Sequence, residues 1–401
     1  MHILFIRSLN PFFESSASGN RHAGIIRGLL ENKVKVTLVV TGGYNNLSEY
    51  KSKGVYFDDQ NFSVYYTTLA FNHNIWFRRF NKYVAEDILR WINQLYLKKF
   101  FKQNYDFVFF TNNTDILTAF NKYANSIRSK TIIELNEFTD IYKEHHLNPM
   151  QLKVAQKSEQ VFFKAVNKID SFAVMTKTLI KHYQTMAKPN AEFFHLPMTV
   201  DLTRFDVVKR NVTYSKPYIA YTGAFSNMKD GVTILIKAFN KIATKYPELH
   251  LYLAGFYHED VVGQKKLIEE FGLEDRVIYL GALNKEKIPP FVCNARLLVL
   301  PRPDSHQAQG GFPTKLGEYL ATSNPVCVTK VGEISDYLED NVSAFMATPG
   351  DVDSFAEAMN RALSNSELAK KVGNQGRKVA EKNFSISIQS DRLVKFLHDN
   401  L

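Results

Sequence analysis

Short, continuous apolar runs alternate along this chain with stretches in which apolar residues recur every three or four positions. Ile3-Leu4-Phe5-Ile6 is a run of the first kind and reads as a buried strand. A loop from Ser8 to Gly19 follows. From about Asn20 to Glu31, Ala23, Ile26, Leu29 and Leu30 share one helical face, and Val34 to Val40 closes the unit as a second strand. The same β-loop-α-β order returns later. Tyr218 to Thr222 is a strand, Gly223 to Gly231 a loop, and Ile234, Leu235, Ala238, Phe239 and Ile242 mark a helix, before a strand from His250 to Ala254. Further apolar strands are expected at Asp106–Phe110, Thr131–Leu135, Val277–Leu280 and Arg296–Leu300. Continuous rather than alternating apolar strands, each followed by an amphipathic helix, predict parallel sheets covered on both faces. The expected fold is therefore α/β, with two doubly wound, Rossmann-like domains facing each other across a cleft. The boundary falls in the polar, basic stretch near Phe205–Ser215. That gives a first domain over 1–205 and a second over 206–384, with a final helix in 385–401 placed to pack back on the first domain.

The length of 401 residues agrees with two domains, being too long for one ordinary core. A hydrophobic content of 45% with 22% charged residues excludes wholesale disorder. No apolar run approaches the length of a membrane-spanning helix. The first residues lack the apolar core of a signal peptide. Two cysteines, Cys293 and Cys327, exclude a disulfide scaffold and a zinc module, and point to a reducing cytoplasm. The net charge of +10 is unevenly shared. Residues 1–205 hold 26 Lys and Arg against 17 Asp and Glu, a balance of +9, whereas 206–401 hold 24 against 23, a balance of +1. A solvated basic face would suffice for this. The functional alternative is that the first half meets something anionic.

Candidate chemistry concentrates between Leu300 and Ala321. A strand ends at Leu300, a polar loop follows, and a helix is expected from near Pro313, since proline suits the first helical turn. Gly310 and Gly311 would let the backbone approach a ligand closely. Free N–H groups at the helix start, beside Lys315, suit a diphosphate. Glu318, a turn further on, could accept hydrogen bonds from paired sugar hydroxyls. Gly-Gly-Phe-Pro alone would be better explained by a turn and a surface helix.

Five segments in register change that. Tyr221 to Gly231 with Lys229, Leu251 to Gly255, Asp275 to Gly281, Ala295 to Pro301 and Pro313 to Ala321 follow one another in the order found in glycosyltransferase family 4. This chain resembles that family, of the GT-B fold and the bacterial surface-polysaccharide type, over most of its length. The resemblance implies a phosphate-binding role for Gly223 and Lys229, and base contacts from the backbone of Ala282 and Leu283. It implies a donor-binding segment of Gln309, Gly310, Gly311, Phe312 and Lys315, with Glu318 on the nucleotide ribose. Two positions depart from the pattern. The first of the family's paired glutamates would stand at 310, where this chain has Gly310, leaving Gln309 or His306 as substitutes. The arginine after the phosphate-loop glycine is Ala224, so the diphosphate charge would rest on Lys229, Lys315, the helix start and Arg302.

In the first domain, Gly19 and Asn20 occupy the first β-to-α loop. The loops after Phe110 and Leu135 supply Thr111, Asn112 and Asn113, then Glu134, Asn136 and Glu137, at carboxyl ends of parallel strands. Gly19, Asn20, Asn112, Asn136 and Glu137 are the acceptor-side candidates, and Glu137 joins Lys229 and Lys315 as a catalytic candidate. No histidine stands at those spots. His145-His146 reads as surface, and no histidine or aspartate spacing suggests a metal site, in keeping with the metal-independent transfer that the resemblance implies. Phe71 to Tyr105 holds both tryptophans, Trp76 and Trp91, among Arg78, Arg79, Lys82, Lys98, Lys99 and Lys102. That mixture suits an anionic membrane interface, although one α/β helix with Ile88, Trp91 and Leu95 packed on the sheet accounts for part of it. No nucleic-acid-binding motif is present.

The expected function is retaining transfer of a sugar from a nucleotide diphosphate sugar to a hydroxyl of a glycan or lipid-linked acceptor. No cofactor is expected. The place of action is the cytoplasm, at the inner face of its membrane. The rivals are a non-catalytic nucleotide-binding partner protein and a GT-B-fold nucleotide-sugar epimerase.

Overall fold

The structure is a computed structural model describing residues 1–14, 16–44, 46–57, 59–67, 104–144, 147–208 and 214–401. Phe71 to 103 of the aromatic, basic segment, the pair His145-His146 and positions 209–213 of the expected boundary lie outside the described residues. The chain forms two compact units, Met1–Pro197 with Gln389–Leu401, and Met198–Ile388.

The first unit is built on strands β1 (His2–Arg7), β2 (Lys35–Val40), β3 (Phe62–Tyr66), β4 (Phe107–Phe110), β5 (Lys130–Leu135), β6 (Ser171–Val174) and β7 (Glu192–His195). They lie in the order β3-β2-β1-β4-β5-β6-β7, and every pairing is parallel. The second unit orders its strands β10-β9-β8-β11-β12-β13, again all parallel. Here β8 is Tyr218–Thr222, β9 His250–Ala254, β10 Val277–Gly281, β11 Leu297–Leu300, β12 Val326–Thr329 and β13 Phe345–Ala347. All four residues of β4 and of β11 are buried, as a strand covered on both faces requires.

Each sheet reverses its winding at one place: between β1 and β4 in the first unit, and between β8 and β11 in the second. Loops leaving the carboxyl ends of such neighbouring strands diverge to opposite faces and leave a crevice for a ligand. The structure thus singles out the loops after β1, β4, β8 and β11.

The first helix differs from expectation. It begins at Ala17 rather than Asn20, because the Ser16 hydroxyl accepts from the Gly19 N–H at 2.9 Å and caps it. Gly19 and Asn20 therefore belong to its first turn and not to a loop. The last helix, Ile386–Asp399, places Leu393, Val394 and Leu397 in the core of the first unit beside Phe194 and Leu196. Asn32 Nδ2 also donates to the Asp391 carboxylate at 2.9 Å.

Candidate active site

The loop after β8 is shaped by two glycines with positive φ. Gly223 has φ +145°, and a Cβ there would stand 2.1 Å from Lys315 Nζ. Gly231 has φ +69°, and a Cβ there would lie 2.1 Å from the Pro301 carbonyl oxygen. At Gly231 the β8 loop meets the β11 loop through backbone, whereas at Gly223 the positive φ and the end of the Lys315 side chain disfavour a Cβ. Between the glycines the expected loop contains a short helix, Asn227–Asp230, capped by Ser226. Lys229 lies on it, exposed, and its charge reaches Lys315.

Lys315 rises from the first turn of the Thr314–Ala321 helix into this crevice. Its Nζ donates to Asp230 Oδ2 at 2.8 Å and to the Tyr221 hydroxyl at 3.3 Å, and it stands 4.8 Å from the Tyr221 ring centroid. Its side chain is 17% exposed and that of Asp230 4%. The Tyr221 hydroxyl donates to Asp230 Oδ2 at 2.9 Å. Burial pushes the Lys315 ammonium below its ordinary pKa, as do Arg302 and Lys229, and Asp230 opposes them. Burial alone would raise the Asp230 carboxyl, but the charge and hydrogen bond of Lys315, with Arg302 beyond, hold it below the usual carboxylate range. Arg302 is buried, and its Nη1 lies 3.4 Å from the Gly311 carbonyl oxygen. Lys315 and Arg302 both act on the buried Asp230 carboxylate, and the charge of exposed Lys229 reaches Lys315 from the loop above. Lys315 is thus one member of a buried ion pair.

The rest of the donor segment is partly rearranged. The polar loop after β11 holds a one-turn helix, His306–Gly310, capped by Ser305. Pro313 flanks the following helix instead of lying in its first turn, which starts at Thr314. Gln309 is exposed, and its Nε2 donates to Asp304 Oδ1 at 2.5 Å, whereas Gly310 is buried. The Phe312 ring packs into the core against Tyr337 and Phe384, with centroids 5.6 and 5.4 Å away, so only its backbone can face a ligand. Glu318 is half-buried and accepts from Arg204 Nη1 at 2.9 Å, a partner that the sequence reading missed. Ala282 is exposed and Leu283 half-buried, both just beyond β10.

In the first unit, Asn112 follows β4 and is exposed, while Asn136 and Glu137 follow β5 and are half-buried. The Glu137 carbonyl oxygen accepts from the Tyr183 hydroxyl at 2.7 Å. Asn113 is committed to capping its helix, accepting from the Ile116 N–H at 3.0 Å. Gly19 and Asn20, past the end of β1, complete a row at the carboxyl ends of the adjacent strands β1, β4 and β5.

Beneath that row lies a buried polar cluster that the sequence did not reveal. Glu134, fully buried in β5, accepts from Arg21 Nε at 2.6 Å and lies 3.2 Å from His22 Nε2. The other Arg21 nitrogens donate to the carbonyls of Pro197 and Leu196 at 2.7 and 2.8 Å. Burial works to raise the Glu134 carboxyl, but Arg21 and His22 win and pull it down to about 2. Burial, with Arg7, lowers His22 below its ordinary pKa. Glu134 is therefore part of a clamp joining the first helix to β5 and the exit of β7, and Glu137 stands half-buried just past the end of β5. Among the described residues, no three His, Cys, Asp or Glu side chains gather as metal ligands would.

Two parallel, doubly wound sheets with their crevices at the strand carboxyl ends define the GT-B fold. Comparison with known proteins agrees. The chain is similar over its full length, and over theirs, to sucrose-phosphate synthase from Thermosynechococcus elongatus (TM-score 0.74, 14% identity) and to HepE from Anabaena in complex with UDP-glucose (TM-score 0.68, 16% identity). Residues 204–379 match the family described as glycosyl transferases group 1. It is also 25% identical over 180 residues to alpha-D-kanosaminyltransferase of Streptomyces kanamyceticus, a stretch covering 44% of each chain. The match thus spans less than half the length of that relative. Among the described residues, no helix is long and apolar enough to cross a membrane.

Proposed function

We propose that this protein transfers a sugar from a nucleotide diphosphate sugar to a hydroxyl of a glycan or lipid-linked acceptor, with retention at the anomeric carbon and without a metal ion. The observation that carries this reading is the buried Lys315–Asp230 pair beside Arg302 at the reversal between β8 and β11, with exposed Lys229 on the adjoining loop. In the reaction, the bond from the anomeric carbon to the diphosphate oxygen breaks, and its electron pair leaves with the diphosphate. The acceptor oxygen bonds to the same carbon from the same face, and its proton passes to the departing oxygen. Cations placed where that negative charge grows lower the barrier electrostatically. Lys229 and Lys315 hold the diphosphate, with backbone N–H groups at the start of the Thr314–Ala321 helix. Glu318 exchanges Arg204 for the ribose hydroxyls. Backbone groups of Ala282 and Leu283 meet the base. Gly310 and Gly311 let the sugar approach, with Gln309 beside it. Asn112, Asn136 and Glu137 meet the acceptor, Glu137 orienting its hydroxyl, and Gly19 and Asn20 line the same end of the sheet.

HepE, of the same fold, is solved with UDP-glucose, which supports a nucleotide sugar as donor. The excess of basic residues in the first half supports an acceptor held at the anionic inner face of the cytoplasmic membrane. Calorimetric titration with UDP, GDP, dTDP and ADP tests the donor site. One nucleotide is expected to bind, and Lys229→Ala to weaken it at least tenfold with an unchanged circular dichroism spectrum. Absence of binding by all four overturns the proposal.

A further inference from the structure

The helix Pro149–Val166 of the first unit is buried only near its carboxyl end, at Phe162, Ala165 and Val166. Over its first three turns it stands exposed, yet it carries large apolar residues there. Met150 is 80% exposed, Val154 64% and Val161 38%. At 100° per residue these three fall within about 40° of one another, forming one stripe along the helix. Lys153, Lys157 and Lys164 are exposed too, and each follows a stripe residue by three positions, so the lysines run as a second row along the flank of the stripe. The one acidic residue of the helix, Glu159, lies on the opposite side, where its carboxylate accepts from the Tyr142 hydroxyl at 2.9 Å. Phe162 and Val166 also face that way. The exposed face is thus apolar and cationic with no negative charge.

An apolar stripe in solvent is a cost unless something covers it, and a flanking row of lysines states the charge of the cover. A protein partner would need an acidic surface matched to three spacings. An anionic bilayer needs no matching, because its headgroups are laterally mobile and its acyl boundary accepts methionine and valine side chains. The +9 balance of the first half adds long-range attraction of the same sign. We infer that the Met150-Val154-Val161 face of this helix is a docking surface for an anionic lipid bilayer, with the lysine row at headgroup level. The inference rests on the lipid-linked-acceptor reading for its purpose. Its evidence and its test are independent of turnover.

The test is flotation of the full chain with vesicles of phosphatidylcholine alone or with about 30 mol % phosphatidylglycerol, at about 0.1 and 0.5 M salt. The chain is expected to float with anionic vesicles only, and to be released by the higher salt. A near-surface lysine is worth about fivefold in partitioning, so Lys153→Gln/Lys157→Gln/Lys164→Gln should weaken binding about a hundredfold. Met150→Ser/Val154→Ser/Val161→Ser should abolish the part that survives high salt. Lys265→Gln/Lys266→Gln/Lys287→Gln, three exposed lysines of the second unit, should change binding less than twofold. Because every altered side chain is exposed, circular dichroism and the thermal midpoint should stay as in the parent. Three results overturn the inference: no flotation of the parent, flotation undiminished in the first triple variant, or an equal loss in the control triple. Concentration-dependent self-association abolished by the serine variant would overturn it too, assigning the face to a second copy of the chain. Donor turnover measured on a soluble acceptor separates failure here from failure of the transferase reading.

Discussion

Lys315 serves the fold and, by the proposal above, the donor, and a double-substitution cycle separates the two. Lys315→Met keeps most of the aliphatic stem and removes the ammonium. The Asp230 carboxylate, 4% exposed, then keeps the Tyr221 hydroxyl at 2.9 Å and the field of Arg302, and loses its ion pair at 2.8 Å. Removing one partner of a buried pair costs roughly 3–5 kcal/mol, and the remaining partners place this case near 3. Asp230→Asn strands Lys315, but the 17% exposure of its side chain admits water, so about 2 kcal/mol is expected. With both charges gone neither member of the pair is left facing an absent partner. The double variant should then cost about 1 kcal/mol, against the roughly 5 that addition would give. Urea unfolding followed by circular dichroism measures all four proteins. Release of nucleoside diphosphate is followed in parallel, and Lys315→Met should lose it whether or not Asp230 is also changed. Additive destabilisation would refute the pair as the source of the cost. Return of both stability and turnover in the double variant would refute any part for Lys315 beyond neutralising Asp230.

Three further outcomes follow from the same geometry. Gly223→Ala drives a methyl group to 2.1 Å from Lys315 Nζ at φ +145°, so nucleotide binding by calorimetry should weaken at least tenfold, with roughly 1–3 kcal/mol lost in urea unfolding. Glu134 lies at about 2 in the folded chain against 4.5 as its ordinary value. Its contribution of about 3 kcal/mol is therefore complete above pH 4.5 and lost as the pH falls toward 2, so Glu134→Gln should cost about 3 kcal/mol at pH 7 and about 1 at pH 3. A gap that widens on acidification would contradict the clamp. His22, lowered by burial, contributes with the same sign: stability complete above its ordinary value of 6.5 should fall as the solution is acidified below it, and His22→Gln should flatten that limb of the pH profile.

Strands and their parallel arrangement were legible because strands buried on both faces are unbroken apolar runs, as Phe107–Phe110 and Leu297–Leu300 show. The glycines of the β8 loop were legible as well, since positive φ at both, and at Gly231 the approach of the Pro301 carbonyl, disfavours other residue types. Short helices were not. Asn227–Asp230 and His306–Gly310 are too brief to show a 3.6-residue period, and only the capping Ser226 and Ser305 could have marked them. The Ser16 cap that moves Gly19 and Asn20 into the first helix was likewise available in the sequence and was outweighed by the small, polar residues around it. Ion pairs were beyond reach. Lys315 meets Asp230 across 85 residues, Glu318 meets Arg204 across 114 and Glu134 meets Arg21 across 113. No local pattern encodes such pairings, and one side of each, Lys315, Glu318 or Glu134, was named beforehand without its partner.

Release of nucleoside diphosphate from a panel of UDP-, GDP-, dTDP- and ADP-sugars, with and without a lipid-linked acceptor extract, tests the transferase assignment most directly. Release from one donor is predicted, raised by the extract and lowered about a hundredfold or more by Lys229→Ala at unchanged thermal midpoint. Conversion of a donor to its epimer without release would contradict acceptor transfer. No release beside tight nucleotide binding would make the crevice a binding site without chemistry.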